Sequence, residues 1–269
     1  MPLFDVHAHL THPKLDVQID AVLSNARRAG LSTIVCNGLN PEDNQAVADL
    51  AAAHPDLVKP AFGLYPVDAV MPELLASGVD YPRTSSAYTP TESVQWVREH
   101  VDDAFAVGEI GLDGYWVPEP LWERQESLFR SLVQIAIDAD KAIIIHTRKR
   151  ERRAFEVLEE MGAQKVDWHC FGGRVKLARR IATELGHYLS IPANARRSQS
   201  FTRMLETLPR DRVLLETDCP YLAPVAGETN EPATVSGTAA YAASIWGVSL
   251  EEAIEQLESN FFELFGVRP

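Results

Sequence analysis

Ala142-Ile143-Ile144-Ile145-His146-Thr147-Arg148 is an apolar run that stops on an imidazole. Four uninterrupted apolar residues read as a fully buried strand, so the metal-type residue at its C-terminal edge is carried to one rim of a sheet. The event recurs along the chain. Successive apolar runs stop at His7 and His9, at Glu109, at His146, at His169 and at Asp218. Candidate strands lie near residues 3–8, 33–37, 58–63, 105–110, 142–146, 166–169, 188–191 and 213–217. Amphipathic stretches at 17–29, 42–53, 94–101, 121–140, 153–161, 176–185 and 200–208 alternate with them, and 250–265 closes the chain. This alternation predicts an α/β fold, a (β/α)8 TIM barrel. An open doubly wound sheet is the alternative. The barrel is preferred because the candidate ligands come from strands one, four, five, six and eight, which converge only if the sheet closes. The chemistry then belongs at the C-terminal mouth.

Composition narrows the class. The chain has 269 residues, 46% hydrophobic, which fits a single domain over 1–269. No charged and apolar leader precedes Leu3-Phe4-Asp5-Val6-His7, so a signal peptide is not expected. The uncharged stretch from Pro232 to Leu250 is diluted by Ser, Thr and Gly, short of the apolar density of a membrane span. Three cysteines, Cys36, Cys170 and Cys219, without C-x-x-C spacing, fit reduced thiols and a cytoplasmic location. No obligate protein partner is implied.

In Asp5-Val6-His7-Ala8-His9, period-two alternation puts Asp5, His7 and His9 on one face, and two imidazoles so spaced can grip one ion. Read singly, the pair could be ordinary polar residues at a strand end, and Glu109, between Gly108 and Ile110-Gly111, could be a buried hydrogen-bonded acid. His146 and His169, each after an apolar run, point to the mouth that already holds His7 and His9. In Leu215-Glu216-Thr217-Asp218, the two acids face the same way. Asp218 is assigned to metal binding or proton transfer and Glu216 to supporting it. His12, His54, His100 and His187 match no ligand motif. Cys170 and Cys219 adjoin proposed ligands and are expected to face away from them.

Six motifs in order carry a resemblance: D-x-H-x-H at Asp5 to His9, G-E-I-G-L-D at Gly108 to Asp113, H-T-R at His146 to Arg148, H-C-F-x-G at His169 to Gly173, E-T-D-x-P-Y-L at Glu216 to Leu222, and N-E-P at Asn230 to Pro232. With them, and Asn260-Phe261-Phe262-Glu263-Leu264-Phe265 near the end, the chain resembles the TatD family of metal-dependent hydrolases. The resemblance implies a barrel with two divalent ions: His7, His9 and Asp218 on one, His146 and His169 on the other, Glu109 bridging. Mixed imidazole and carboxylate ligation suits Zn or Mn, and Mg usually prefers oxygen, so the identity of the ions stays open. Two such ions acidify a shared water and polarise a phosphoryl oxygen. The expected activity is therefore that of a phosphodiesterase or deoxyribonuclease, 3′–5′ exonuclease-like, with Asp218 accepting a proton, Glu109 bridging and Arg148 offering a charged fork to phosphate. An ion pair with Glu151 is the structural alternative for Arg148.

Charge distribution fits a phosphate-containing substrate such as a single-stranded DNA end or a nucleotide. The chain carries −13 overall, yet residues 141–212 hold sixteen Lys and Arg against eight Asp and Glu. That window could draw in an anion. Helix faces paired with acids account for most of these cations equally well. So acidic a chain disfavours a long nucleic-acid footprint.

Three departures from the family pattern bear on substrate. Gly63-Leu64-Tyr65-Pro66 has Tyr65 where the family's G-x-H-P has a His that the resemblance implies contacts phosphate, and Tyr is not cationic near neutral pH. Gly227-Glu228-Thr229 places an acid ahead of Asn230, where the family carries basic residues. Residues 66–91 read as a long loop insertion over the mouth. Tyr65, Arg148 and Asn230 are the candidate substrate contacts. Two rival functions are kept: a metal-dependent amidohydrolase or esterase acting on a small or nucleotide-derived substrate, and a non-catalytic metal-binding barrel.

Overall fold

In the computed structural model, which describes residues 2–83 and 85–266, eight parallel strands follow chain order around one sheet. They are β1 (Leu3–Ala8), β2 (Leu31–Asn37), β3 (Val58–Phe62), β4 (Ala106–Asp113), β5 (Ala142–Arg148), β6 (Val166–Trp168), β7 (Tyr188–Ile191) and β8 (Val213–Leu215). Beyond β8 the backbone returns to β1: the Asp218 N–H donates to the His7 carbonyl and the His9 N–H to the Cys219 carbonyl, both at 2.9 Å. The sheet is thereby a nearly closed barrel, and the open-sheet alternative is set aside.

The helices are α1 (Pro13–Asp16), α2 (Ile19–Arg28), α3 (Pro41–Ala53), α4 (Met71–Ala76), α5 (Pro90–His100), α6 (Trp122–Asp138), α7 (Glu151–Met161), α8 (Val175–Arg180), α9 (Gln199–Thr207), α10 (Val235–Trp246) and α11 (Leu250–Phe265). Local chemistry sets several starts. Thr89 and Glu92 form a capping box ahead of α5, with Pro90 at its first turn, and Ser249 and Glu252 repeat the device on α11.

Alternation along β5 feeds two buried clusters. Ile143 and Ile145 pack in the cluster that holds Phe129, Leu132 and Leu158 of α6 and α7. Ala142 and Ile144 join Phe4, Val6, Val35 and Leu214, with Phe261, Leu264 and Phe265 of α11. His146 continues the Ala142 and Ile144 side to the mouth. At the opposite end Phe4 stacks on Phe261, with centroids 4.1 Å apart, and Phe105 on Phe265 at 4.9 Å. Each such ring contributes roughly 1.5–3 kcal/mol on burial, so α11 fastens the barrel's N-terminal end.

Two readings change. Residues 66–91 are not structureless: they hold a 3-10 turn at Asp68–Val70 and α4, whose Met71 and Leu74 bury with Val67, Val70 and Val117. Thr84 lies outside the described residues. Residues 235–246, within the stretch considered only as a poor membrane span, form α10, whose Ala239, Ala242 and Ala243 pack closely. Ala, Ser and Gly give little hydropathy contrast, so its period is faint in sequence. Among the described residues no helix is long and apolar enough to cross a membrane.

Candidate metal centre

Four ring nitrogens and three carboxylate oxygens converge at the C-terminal mouth. His7 and His9 leave β1 with their Nε2 atoms 3.1 Å apart. Glu109 Oε2 lies 3.6 and 3.4 Å from them, and Asp218 Oδ1 3.8 and 3.5 Å. Donors held tetrahedrally at about 2.0–2.1 Å from an ion stand roughly 3.3–3.4 Å from one another, so these five separations fit one such ion with small adjustment. The second Glu109 oxygen, Oε1, faces a different pair: it is 3.0 Å from His146 Nδ1 and 3.6 Å from His169 Nε2. One carboxylate thus addresses two imidazole pairs through separate oxygens, and both triads, His7-His9-Glu109 and Glu109-His146-His169, are compact enough to hold metal.

Glycine makes room for that carboxylate. A Cβ at Gly63 on the neighbouring turn would stand 2.5 Å from the Glu109 backbone nitrogen and oxygen. Gly111, at φ +151°, would drive one into the His146 carbonyl.

Outer groups fix the rings. His9 Nδ1 meets the Asn37 carbonyl at 3.1 Å, His146 Nε2 meets Asp113 Oδ2 at 3.1 Å, and His169 Nδ1 meets Glu216 Oε2 at 3.3 Å. His169 and His7 stack with centroids 3.7 Å apart. Burial lowers the pKa of both His7 and His9, leaving neutral imidazoles with lone pairs to give. Burial alone would raise the Glu109 carboxyl, but the hydrogen bond to His146 and the neighbouring imidazoles of His169, His7 and His146 overrule it, and it stays ionised. For His146, burial acts downward, and its contacts with Asp113 and Glu109 win, raising its pKa to about 9. Burial, with the charges of Glu216 and Glu109 adding, pushes Asp218 up to about 8.

Deeper in the barrel, the single Ser190 hydroxyl lies 2.8 Å from Asp167 Oδ2 and 2.6 Å from Glu216 Oε2. One hydroxyl proton cannot serve both acids, so at least one carboxyl is itself protonated. Burial accordingly raises Asp167 to about 8 and Glu216 well above the carboxylate range.

Above the cluster opens a cavity of about 940 Å³, lined by His9, Glu109, His146, His169 and Asp218 and by Tyr65, Tyr221, Arg83, Arg148 and Lys149. Arg148 does not pair with Glu151. Among the described residues it forms no salt bridge, and its guanidinium carbon lies 3.5 Å from the Tyr115 ring centroid. Tyr65 packs edge-on against His146, centroids 5.1 Å apart. Much of the basic window is spent on helix faces: Arg153 on Glu126, Glu156 and Glu160, Arg180 on Glu184, and Arg152 on Glu156.

Two residues sit otherwise than the sequence pattern predicts. Asn230 is fully buried, its amide donating to the Thr217 carbonyl while its oxygen accepts from the Glu231 N–H and the Thr234 hydroxyl. With these polar atoms engaged, it latches the loop after β8. Cys170 does not face away: it lines the cavity. Alternation ends with β6 at Trp168, and Cys170 takes a left-handed backbone, φ 42°. Burial raises its thiol well above the usual cysteine range, which keeps it protonated near neutral pH.

Sequence reasoning missed three participants. Asp113 stands within the G-E-I-G-L-D motif, where nothing in the pattern gives it a task. Asn37 acts through a backbone carbonyl, which no side-chain pattern reveals. Arg83 sits in the segment read as a loop, where only its charge marked it.

A model of the TatD related DNase family matches residues 4–266. The human deoxyribonuclease TATDN3 is 30% identical over 269 residues, an alignment covering 98% of this chain and 94% of that protein. The metal-dependent hydrolase YabD of Bacillus subtilis, described as uncharacterized, is 30% identical, with 98% of this chain and 99% of that one aligned. In three dimensions the chain superposes on YJJV, a TatD homolog from Escherichia coli, with a TM-score of 0.83 at 24% identity, covering 99% and 98% of the two chains.

Proposed function

The chain belongs to the TatD related DNase family, and from that premise we propose that it is a metal-dependent phosphodiesterase acting on short single-stranded DNA ends or nucleotides. The observation that carries this reading is the division of Glu109, one oxygen toward His7 and His9 and the other toward His146 and His169. That arrangement supports a reading with two ions: His7, His9 and Asp218 would hold one, His146 and His169 the other, and Glu109 would serve both. When bound, such ions supply Lewis acidity to a phosphoryl oxygen and lower the pKa of water. The chain's own residues do the rest. Asp218 lines the cavity beside His9, and the carboxylate oxygen not directed at His7 and His9 would take a proton from attacking water. Arg148 and Lys149 stand at the wall, where a permanent cation and an ammonium can meet phosphate oxygens. Cys36, Cys170 and Cys219 are free thiols, which supports a reducing compartment, the cytoplasm.

The test is a substrate panel on chelator-treated protein reconstituted with Zn, Mn or Mg, with metal content determined by elemental analysis. The panel comprises bis(p-nitrophenyl) phosphate, a 5′-labelled single strand, a carboxylic ester and an amide. Two metal equivalents and metal-dependent cleavage of the phosphodiesters support the proposal. Turnover confined to the ester or amide transfers the assignment to an amidohydrolase or esterase, and turnover of nothing under any metal to a binding barrel.

A further inference from the structure

We propose that Arg83 is a specificity-determining residue that receives a second phosphate group of the substrate, one link away from the phosphate handled at the metal cluster. The inference rests on the phosphodiesterase reading above and adds to it which substrates are preferred: those with more than one phosphate.

The excursion between β3 and α5 brings Arg83 to the cavity wall. It is anchored from behind. Its Nη2 donates to Asp68 Oδ2 at 2.8 Å, and the Asn40 amide, from the cap of α3, donates to the same oxygen at 3.1 Å. Asp68 is 7% exposed, whereas a third of the Arg83 side chain remains accessible. A guanidinium has five donors in a planar fork, and the Asp68 contact engages one nitrogen. An ion pair formed only for stability would gain little from leaving the cation this open.

Tyr65 decides which phosphate Arg83 meets. The guanidinium carbon lies 5.6 Å from the Tyr65 ring centroid, and that ring in turn packs on His146 at 5.1 Å. The phenol ring therefore stands between Arg83 and the cluster. An anion seated among His7, His9, His146 and His169 is shielded from Arg83, and the group within its reach is the next one along. Arg148 ends β5, Lys149 follows it and Arg83 follows β3, so cations flank β4, the strand that supplies Glu109. A phosphodiester chain of two or more phosphates offers a group to each side, which a substrate with one phosphorus does not.

The experiment compares bis(p-nitrophenyl) phosphate with a 5′-phosphorylated thymidine trinucleotide on the metal-loaded full chain. It adds equilibrium binding of a fluorescein-labelled oligothymidylate in chelator. Arg83→Gln is expected to raise KM for the trinucleotide about tenfold, at least five times more than for bis(p-nitrophenyl) phosphate, and to weaken oligothymidylate binding about tenfold. Asp68→Asn, which frees the guanidinium, should reproduce the KM shift, and the double variant should add little to either. Arg152→Gln, on an exposed helix face, is the charge control. Equal losses on both substrates, or unchanged KM and binding in a folded Arg83→Gln, overturn the inference. If Arg83→Gln does not fold, Arg83→Lys and Asp68→Asn decide on the same measurements. Should the wild type cleave neither phosphodiester, the phosphodiesterase reading falls, and the chelator binding data still judge Arg83.

Discussion

Asp113→Asn isolates the orientation of a single ring nitrogen. In the native site Asp113 Oδ2 holds His146 Nε2 at 3.1 Å, keeping a proton there and leaving Nδ1, 3.0 Å from Glu109, as the atom that gives up its proton to a metal. The other oxygen, Oδ1, accepts the Tyr115 and Trp116 N–H groups, both at 2.7 Å. An asparagine that keeps those two acceptor contacts must turn its NH2 toward His146, which then has to accept at Nε2 and carry its proton on Nδ1. The substitution is nearly isosteric, yet it puts the proton on the ligating atom. Loss of such a partner costs about 10–100-fold in metal affinity, or roughly 1.4–2.7 kcal/mol. The weakened loop contacts cost about 0.5–1.5 kcal/mol each, a drop of a few degrees in Tm. Calorimetric metal titration of the chelator-treated variant should show weakening at one of two sites, with activity recovering as metal is raised. Wild-type affinity at both sites would refute the tautomer argument, and activity that excess metal does not restore would show that Asp113 does more than orient His146.

Three further outcomes are expected. Glu109→Gln removes the group addressed by all four histidines, so activity should fall by more than the roughly 10–100-fold expected of an outer residue, and bound metal should drop below two equivalents. Full turnover in that variant would exclude bridging. Arg148→Ala should lower kcat/KM on phosphodiesters about 10–100-fold, mainly through KM and less at high salt, since a charge-assisted contact contributes about 1.5–3 kcal/mol. An effect confined to kcat would place Arg148 at the reacting atoms instead. Asp167 has a folded pKa raised to about 8 by burial, so its contribution to stability is complete below about pH 4 and is lost as pH rises through 8. Asp167→Asn should therefore flatten the fall in stability of chelator-treated protein between pH 5 and pH 8.5, by up to about 1.4 kcal/mol per pH unit. Parallel denaturant-midpoint curves for variant and wild type would show that Asp167 is ionised in the fold.

The sequence carried the strand order and the cluster because both follow from short-range rules. A run such as Ala142 to Ile145 cannot be polar where it is buried, and His7 and His9 fall on one face through alternation alone. What it did not carry lies where those rules stop. Asn230 has a polar side chain in a motif-rich stretch, which makes it look like a substrate contact. Only the tertiary partners Thr217 and Thr234 reveal that its hydrogen bonds are already used. Cys170 follows a strand that ends two residues earlier, so extrapolated alternation sent its thiol the wrong way. Arg83 is one charge in a Pro-, Ser- and Tyr-rich segment, and its task depends on Asp68 and Tyr65, which no periodicity links to it.

The closure of the barrel and the assembly of the His7, His9 and Asp218 corner are one set of hydrogen bonds. Asp5 sits beneath His7 and accepts from the Thr217 N–H at 2.9 Å and the Thr217 hydroxyl at 2.5 Å. One residue further, the Asp218 N–H reaches the His7 carbonyl, and the His9 N–H reaches that of Cys219. The register of β8 against β1 therefore sets the distance from Asp218 Oδ1 to both rings directly. Asp218 itself adopts φ 53°, as non-glycine residues rarely do, at a cost of about 1–2 kcal/mol. That conformation turns its carboxylate from the strand direction into the cavity, and the flanking closure contacts hold it there. Asp5 contributes no donor to the cluster, yet through Thr217 it fixes where Asp218 stands, which gives a physical reason for Asp5, His7 and His9 to share one strand face.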